Sequence, residues 1–242
     1  MTAEPRIVAP SEVDPETWWM LESGPGPAAW NMAMDEALLN LVARFDRVIL
    51  RGYGWTEPAA TFGYSQRFAE VTSWTTLRPI VRRPTGGGLV AHDGDWTYSL
   101  IVPPGSAWYE LKASASYRHF HEWIRDGLAV IGWNVDLAGG ADDAPGGRCF
   151  LRAETADLVW GGRKVAGAAQ RRNRLGLLIQ GSIQAPPRPA LDRAAFQAAL
   201  MAQATRRWGV RWQTMTPTAE LAQRASQLVA ERYGLEKHNR RR

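Results

Sequence analysis

Apolar side chains recur every three or four positions at Met34, Leu38, Leu41, Val42 and Phe45, and again at Tyr117, Phe120, Ile124, Leu128 and Ile131. That spacing lays one apolar stripe along each of two helices. Asn31 reads as the cap of the first, with Asp35 and Glu36 in its opening turn, where carboxylates suit the positive end of the helix dipole. Short β-branched and aromatic runs predict strands over 47–52, 60–64, 79–83 and 96–102, the last stopped by Pro103 and Pro104. Strands resume at 158–160, 164–166 and 177–180, the first two joined by Gly161-Gly162 in a hairpin. Residues 138–148 have the composition of a loop and 186–189 that of a stiff linker. Two more helices are predicted over 192–206 and 217–233, with Thr216 and Pro217 opening the second, and the end from His238 reads as frayed.

Two segments interrupt this pattern. The first is Arg82-Arg83-Pro84-Thr85-Gly86-Gly87-Gly88, followed by His92 and Asp93. Without Cβ atoms, consecutive glycines can turn several N–H groups toward a carboxylate, a phosphate or an acyl oxyanion, and they can equally make a plain tight turn. Neither a P-loop ending nor a dinucleotide fingerprint is present, and strand residues follow, so the glycines read as a link between two strands. His92 is a candidate to take a proton from an incoming thiol or amine, or simply a strand-end histidine. The second segment is Gly162-Arg163-Lys164-Val165-Ala166-Gly167. After its glycine turn, Lys164 is either a solvated edge charge or a cation placed beside a developing oxyanion.

A chain of 242 residues, 45% hydrophobic and 22% charged, is long enough for one substantial core. No apolar run approaches the roughly 20 residues of a membrane helix, and the start has no signal-peptide core, so one cytoplasmic domain without a membrane partner is expected. The single cysteine, Cys149, excludes an intrachain disulfide and a cysteine zinc site, and by default it is a small buried hydrophobe. His119 and His121 stand two apart on a helix, point to different faces and read as ordinary helix residues. The 12 tryptophans scatter without a period and read as packing. The net charge is only +5, yet 161–191 contains Arg163, Lys164, Arg171, Arg172, Arg174 and Arg188 and no acid. Such a block is a solvated face or the rim for an acidic partner; no nucleic-acid-binding motif accompanies it.

Five blocks occur in order: Asn31 to Leu39, Leu50 to Trp55, Phe62 to Gln66, the Arg-Arg-Pro-Thr-Gly-Gly-Gly run, and Gly162 to Gln170. Together they resemble the lipoate-protein ligase and octanoyltransferase family over roughly residues 18 to 185. The resemblance implies an α+β fold shared by biotin and lipoate ligases, with a mixed, largely antiparallel central sheet backed by helices. It implies a catalytic domain over 18–235, after an N-terminal extension over 1–17 and before a basic tail over 236–242. The stretch after Pro189 is too short for the C-terminal accessory domain of the long-form ligases.

The resemblance also implies roles. Lys164 matches the lysine that holds the acyl carbonyl or acyl-adenylate, and Arg83 matches an arginine lying against the ligand, with Arg82 on the opposite face of the strand. Thr85, Gly86, Gly87, Gly88, His92, Gly167 and Ala168 become substrate-binding candidates, and Trp55 a neighbour of the acyl tunnel. Cys149, fifteen residues before Lys164 and followed by Phe150, resembles the cysteine of single-domain octanoyltransferases that carries the acyl group as a thioester. An ordinary thiol is only a few per cent thiolate at neutral pH, so it needs a cation such as Lys164 beside it.

The signature is mixed. Asp157-Leu158 resembles the Asn-Asp-Leu segment by which ATP-using ligases hold Mg²⁺, but position 156 is Ala, and Ala153-Glu154-Thr155 stands where single-domain octanoyltransferases place Pro-Ser. Asp157 is equally a structural carboxylate. The implied activity is transfer of an octanoyl or lipoyl group through Cys149, from acyl carrier protein or a lipoylated donor to a lysine of a lipoyl domain or glycine-cleavage H protein. It needs no cofactor, and Arg171 and Arg172 would lie on the docking rim. The alternative is an ATP-dependent ligase using ATP, Mg²⁺ and Asp157; a third reading is a noncatalytic carrier- or nucleic-acid-binding protein.

Overall fold

The computed structural model describes residues 16–139, 153–184 and 191–241. Its centre is β10 (Gly176–Ile183), every residue of which is buried, flanked by β6 (Trp96–Val102) and β9 (Arg163–Asn173), both antiparallel to it. Beyond β6 lie β2 (Ile49–Trp55), β1 (Thr17–Gly26) and β11 (Arg211–Thr214); beyond β9 lie β8 (Leu158–Trp160) and β7 (Asp136–Leu137). Among the described strands of this sheet, only the β1 pairings with β2 and β11 are parallel. The expected mixed, largely antiparallel sheet is therefore present, with eight strands.

Helices cover both faces. On one side α1 (Ala28–Phe45) and α6 (Ala219–Leu228) pack over Ile49, Ile101 and Leu178. On the other, α4 (Ala113–Val130) and α5 (Arg193–Trp208) pack over Leu50, Leu100, Leu177 and Ile179, as the period-two alternation of strands requires. There Trp18 meets Trp108, Trp123, Trp208 and Trp212 at ring separations of 5.5–6.2 Å, which accounts for five of the scattered tryptophans as core. Short α3 (Ala107–Glu110) supplies Trp108.

Three strands leave the main sheet. β3 (Ala59–Phe62), β4 (Ile80–Arg82) and β5 (Val90–His92) form a small sheet ordered β4-β3-β5, with α2 (Phe68–Thr72) in the connection between β3 and β4. The triple glycine links β4 to β5 inside this sheet, rather than leading directly to β6 as the strand residues after it suggested.

Four local expectations change. The first helix starts at Ala28 after Pro27, so Asn31 is not its cap: Asn31 is buried and donates Nδ2 to the carbonyls of Gly26 and Gly54. Asp35 and Glu36 are buried partners of basic and tyrosine side chains rather than dipole-facing surface acids. The later helix is capped by Thr218, whose hydroxyl accepts from Leu221 N–H, not by Thr216, and it runs into a wider turn over Val229–Tyr233. The end is docked as far as Arg241: α7 (Glu236–Asn239) packs against β4, Asn239 Oδ1 accepts from the Arg82 backbone N–H at 2.9 Å, and the buried Arg82 guanidinium donates to the Asn239 and Arg241 carbonyls. The Gly161-Gly162 hairpin is as expected, both glycines holding positive φ. The 186–189 linker lies outside the described residues.

Candidate functional site

Between the small sheet and the α1 face of the large sheet is a partly open pocket with about 390 Å³ of space, counting its open mouth. The large sheet contributes Tyr53, Gly167, Ala168, Ala169 and Gln180, α1 contributes Met32, and the small sheet with its loop contributes Thr61, Arg83, Val90 and His92. Four of the substrate-binding candidates, Arg83, His92, Gly167 and Ala168, thus share one cavity.

The glycine loop frames that cavity without lining it. Arg83 folds back and donates Nε and Nη2 to the Gly86 carbonyl, which fixes its guanidinium at the wall. Thr85 is buried; its hydroxyl donates to Gln180 Oε1 at 2.8 Å, while Gln180 Nε2 donates to Asp35 Oδ2 at 2.7 Å. Asp35 also accepts from Arg51, Tyr53 and Ser99, so a buried polar network runs from β2 and β6 through α1 to the loop. Arg82 turns away from the pocket to the C-terminal segment, as strand alternation requires.

Gly87 holds φ +82°, and a Cβ there would lie 2.7 Å from an Arg83 guanidinium nitrogen. A β-branched side chain resists that conformation and would push Arg83 off the Gly86 carbonyl. Gly87→Val is expected to raise the KM for the molecule that occupies this pocket roughly tenfold, the scale of one charge-assisted hydrogen bond. A folded Gly87→Val chain with unchanged KM would show that the loop is a turn and nothing more.

Across the pocket, Lys164 is a buried cation, its side chain 3% exposed and its Nζ 2.6 Å from Asp157 Oδ2. A Cβ at Gly167 would meet Lys164 Nζ at 2.8 Å and Asp157 Oδ1 at 3.0 Å. The missing side chain at this pocket-lining position is what lets the ion pair reach the wall. Asp157 is held on both oxygens: Tyr117 donates its hydroxyl to Oδ1, and the Glu154 N–H donates to Oδ2 at 2.6 Å. Tyr117 in turn accepts from the Ala168 N–H. Burial first, and the Asp157 charge second, push the Tyr117 phenol far above its ordinary range, so it stays a donor. Ala156, before Asp157, has φ +69°, a conformation that asparagine tolerates better than alanine.

His121 departs from the expectation of an ordinary helix residue. It is fully buried, and its ring meets Tyr117 edge-on at 4.3 Å. Burial pushes its pKa down to about 4, against the pull of Asp157. His119, on another face, is half-buried beside Glu122. His92 is no open loop base: it is 3% exposed, its Nδ1 bonds Asp95 Oδ2 at 2.8 Å, and its Nε2 lies 2.8 Å from Thr61 Oγ1. Trp55 stacks on the His92 ring at 3.8 Å and donates its indole N–H to Thr97 Oγ1, directly behind two residues that line the pocket. Arg171 and Arg172 lie on β9, half-buried, with the Arg172 guanidinium over the Tyr109 ring. Cys149 lies outside the described residues. Among the described residues no three His, Cys, Asp or Glu side chains are grouped to hold a metal, and no helix is long and apolar enough to cross a membrane.

Sequence reasoning missed Tyr117, Thr61, Gln180 and the Asp35–Arg51 pair. Gln180 had a signal, a lone amide ending an apolar strand run, and Arg51 had another, a charge in the middle of one.

A family model described as the lipoyl protein ligase A/B catalytic domain matches residues 27–216. An octanoyltransferase LipM of Kyrpidia tusciae is 35% identical over 180 residues, covering 69% of this chain and 66% of that protein. The chain thus spans about two thirds of the length of that curated relative. Among solved structures, lipoate-protein ligase A bound with ATP superposes with a TM-score of 0.73 at 19% identity, over 94% of this chain and 99% of that one. The bipartite lipoate protein ligase of Thermoplasma acidophilum, described with its E2 lipoyl domain, gives 0.70 at 19% identity over 93% and 96%. At these identities the two structures establish the fold.

Proposed function

We propose that this chain, which belongs to the lipoyl protein ligase A/B catalytic-domain family, is an acyltransferase that moves an octanoyl or lipoyl group from a carrier-bound thioester to a lysine of a lipoyl domain. The observation that carries the reading is the junction at Gly167, where the wall of a mostly apolar pocket has no side chain and the Lys164 ammonium lies directly behind it. A preorganised cation there stabilises the oxyanion that forms when a thioester carbonyl is attacked. The octanoyltransferase LipM relatives support the same chemistry.

In this reading the Cys149 thiolate attacks the donor thioester, forming a new carbon–sulfur bond and releasing the donor thiol. The acceptor amine then attacks the acyl-Cys149 carbonyl, forming the amide and releasing the cysteine thiol. Two acyl bonds form and two break, so neither ATP nor a metal is required. The arrangement of Asp157 favours this over the ligase reading: both of its oxygens are taken by Lys164, Tyr117 and the Glu154 N–H, and Mg²⁺ would have to displace the lysine. Lipoyl domain, acyl carrier protein or glycine-cleavage H protein would dock on the rim carrying Arg171 and Arg172, whose charge steers an acidic partner.

The test is intact-mass analysis after incubation with octanoyl carrier protein and no ATP. One octanoyl adduct is expected, labile to hydroxylamine, absent from Cys149→Ala, and transferred to an added lipoyl domain. Acylation of the lipoyl domain from free octanoate only when ATP and Mg²⁺ are present would replace the transferase with the ligase, and no acylation under either condition would leave the noncatalytic carrier-binding reading.

A further inference from the structure

Among the described strands, β4 pairs with β3 on one side only, where the Arg83 N–H donates to the Phe62 carbonyl at 3.0 Å. Alternation along the strand turns the N–H of the preceding residue, Arg82, the other way. There it meets the side chain of Asn239, whose Oδ1 accepts at 2.9 Å from 157 positions further along the chain. One amide of the C-terminal segment thus closes the outer edge of β4 at the residue where the glycine loop begins.

The Arg82 side chain extends this junction. It is fully buried; Nη1 donates to the carbonyls of Tyr64 and Gln66 at 2.7 Å each, and Nη2 donates to those of Asn239, at 3.1 Å, and Arg241. Nε reaches the His238 carbonyl at 3.4 Å. One guanidinium therefore ties the turn after β3 to the C-terminal segment with every nitrogen it has. From outside, Arg240 and Arg241 lie over the Phe68 and Tyr64 rings, at 5.5 and 4.6 Å.

Two short paths lead from this junction to the pocket beside Gly167. Along the chain, Arg82 is followed by Arg83, which lines the pocket and holds the Gly86 carbonyl. Through the turn, Gly63 lies so close to the glycine loop that a Cβ there would collide with the Gly87 carbonyl oxygen, and the Tyr64 N–H donates to the Thr85 carbonyl at 2.9 Å. The turn and Arg82 are gripped by the loop on one side and by the C-terminal segment on the other.

We propose that segment 236–241 is a working part of the substrate pocket, with Arg82 and Asn239 as positioning residues that hold Arg83 and the glycine loop in place. Neither of them lines the pocket; they act through the residues that do. That the loop so held serves an acyl donor rests on the transferase reading, whereas the hold on the loop does not.

The test compares three forms of the full chain: wild type, Asn239→Leu, which keeps the volume but has no acceptor for the Arg82 N–H, and Asn239→Asp. The aspartate keeps that acceptor and loses only the Nδ2 bond to the Tyr233 carbonyl. Hydrogen exchange is first followed by mass spectrometry without any ligand. In Asn239→Leu the amides of 85–90 should exchange roughly fivefold faster, the scale of one lost hydrogen bond, while those of β10 keep their wild-type rate and Asn239→Asp stays within about twofold of wild type. If Asn239→Leu does not fold, Arg240→Ala combined with Arg241→Ala, which removes the two cation–ring contacts, should show the same pattern. No acceleration at 85–90, an equal acceleration in β10, or an Asn239→Asp chain as fast as Asn239→Leu would overturn the proposal. In the kinetic arm, Asn239→Leu should raise KM for octanoyl carrier protein roughly fivefold and leave KM for the lipoyl domain within about twofold of wild type. An equal rise in both would overturn the link to the pocket. Absence of acyl transfer by wild type, with the exchange result intact, would remove the transferase reading and leave the hold on the loop standing.

Discussion

Lys164→Ala is expected to lower acyl transfer by roughly 10²–10³-fold, the usual loss when one preorganised oxyanion donor is removed. It is also expected to destabilise the fold. The ammonium is buried against an equally buried Asp157, and deleting one partner of such a pair leaves an uncompensated charge worth about 3–5 kcal/mol. For a chain of this size that corresponds to a melting temperature lower by roughly 6–20 °C. A cation serving only the transition state could be removed with the melting temperature nearly unchanged; the burial of this one rules that out. The two effects separate in Lys164→Met combined with Asp157→Asn. Asn keeps a carbonyl oxygen for the Glu154 N–H and turns its amide toward the Tyr117 oxygen, so most of the thermal loss should return while activity should not. Lys164→Arg should not rescue transfer, since a planar guanidinium does not fit the space between Asp157 and Gly167 that a compact ammonium fills. Transfer within tenfold of wild type in a folded Lys164→Ala chain would remove Lys164 from the mechanism.

What the sequence disclosed and what it concealed divide along physical lines. The two amphipathic helices, the β6 strand and the Gly161-Gly162 hairpin follow from local periodicity and local dihedral preference, and each is found. β1 escaped because Glu22, Gly24, Pro25 and Gly26 interrupt its alternation, where the register with β2 shifts. The small sheet escaped because no local pattern says which strands pair. Arg83, His92, Gly167 and Ala168 were legible as a set because glycines and a charge in ordered blocks mark a site, and they do share one cavity. Tyr117 was not: on α4 it is one more apolar-face residue, and only the fold brings its hydroxyl to Asp157, 40 positions away. Of the alternatives for Asp157, the structural carboxylate is the one whose partners are visible: the side chain organises its own loop through the Glu154 N–H and holds Lys164 with the same oxygen.

The second large effect is expected at Asp35, one of two carboxylates first placed at a helix start and found in the core. Its oxygens accept from Arg51 at 2.6 Å, Ser99 at 2.8 Å, Tyr53 at 2.9 Å and Gln180 at 2.7 Å, and both Asp35 and Arg51 have no side-chain exposure. Asp35→Ala strands the Arg51 charge and leaves three neutral donors short of an acceptor. The loss should exceed the about 3–5 kcal/mol of a broken buried pair, and the chain should fail to accumulate folded or melt more than roughly 10 °C lower. Asp35→Asn tests which part of the network matters. The amide it introduces can face Gln180 if that side chain flips, so that Gln180 Oε1 accepts from the new amide and Gln180 Nε2 donates to Thr85, whose hydroxyl can accept as well as donate. Arg51 would then lose its counter-charge but keep Asn31 and Ser23 as acceptors. Asp35→Asn should therefore be destabilised less than Asp35→Ala, and it should retain acyl binding because Thr85 stays anchored. Denaturant melts and acyl-substrate KM measured on the same preparations decide it. If Asp35→Asn matches Asp35→Ala in stability, the ion pair with Arg51 dominates; if it keeps wild-type stability but loses acyl binding, the hydrogen-bond path from Asp35 through Gln180 to Thr85 is what holds the pocket in shape.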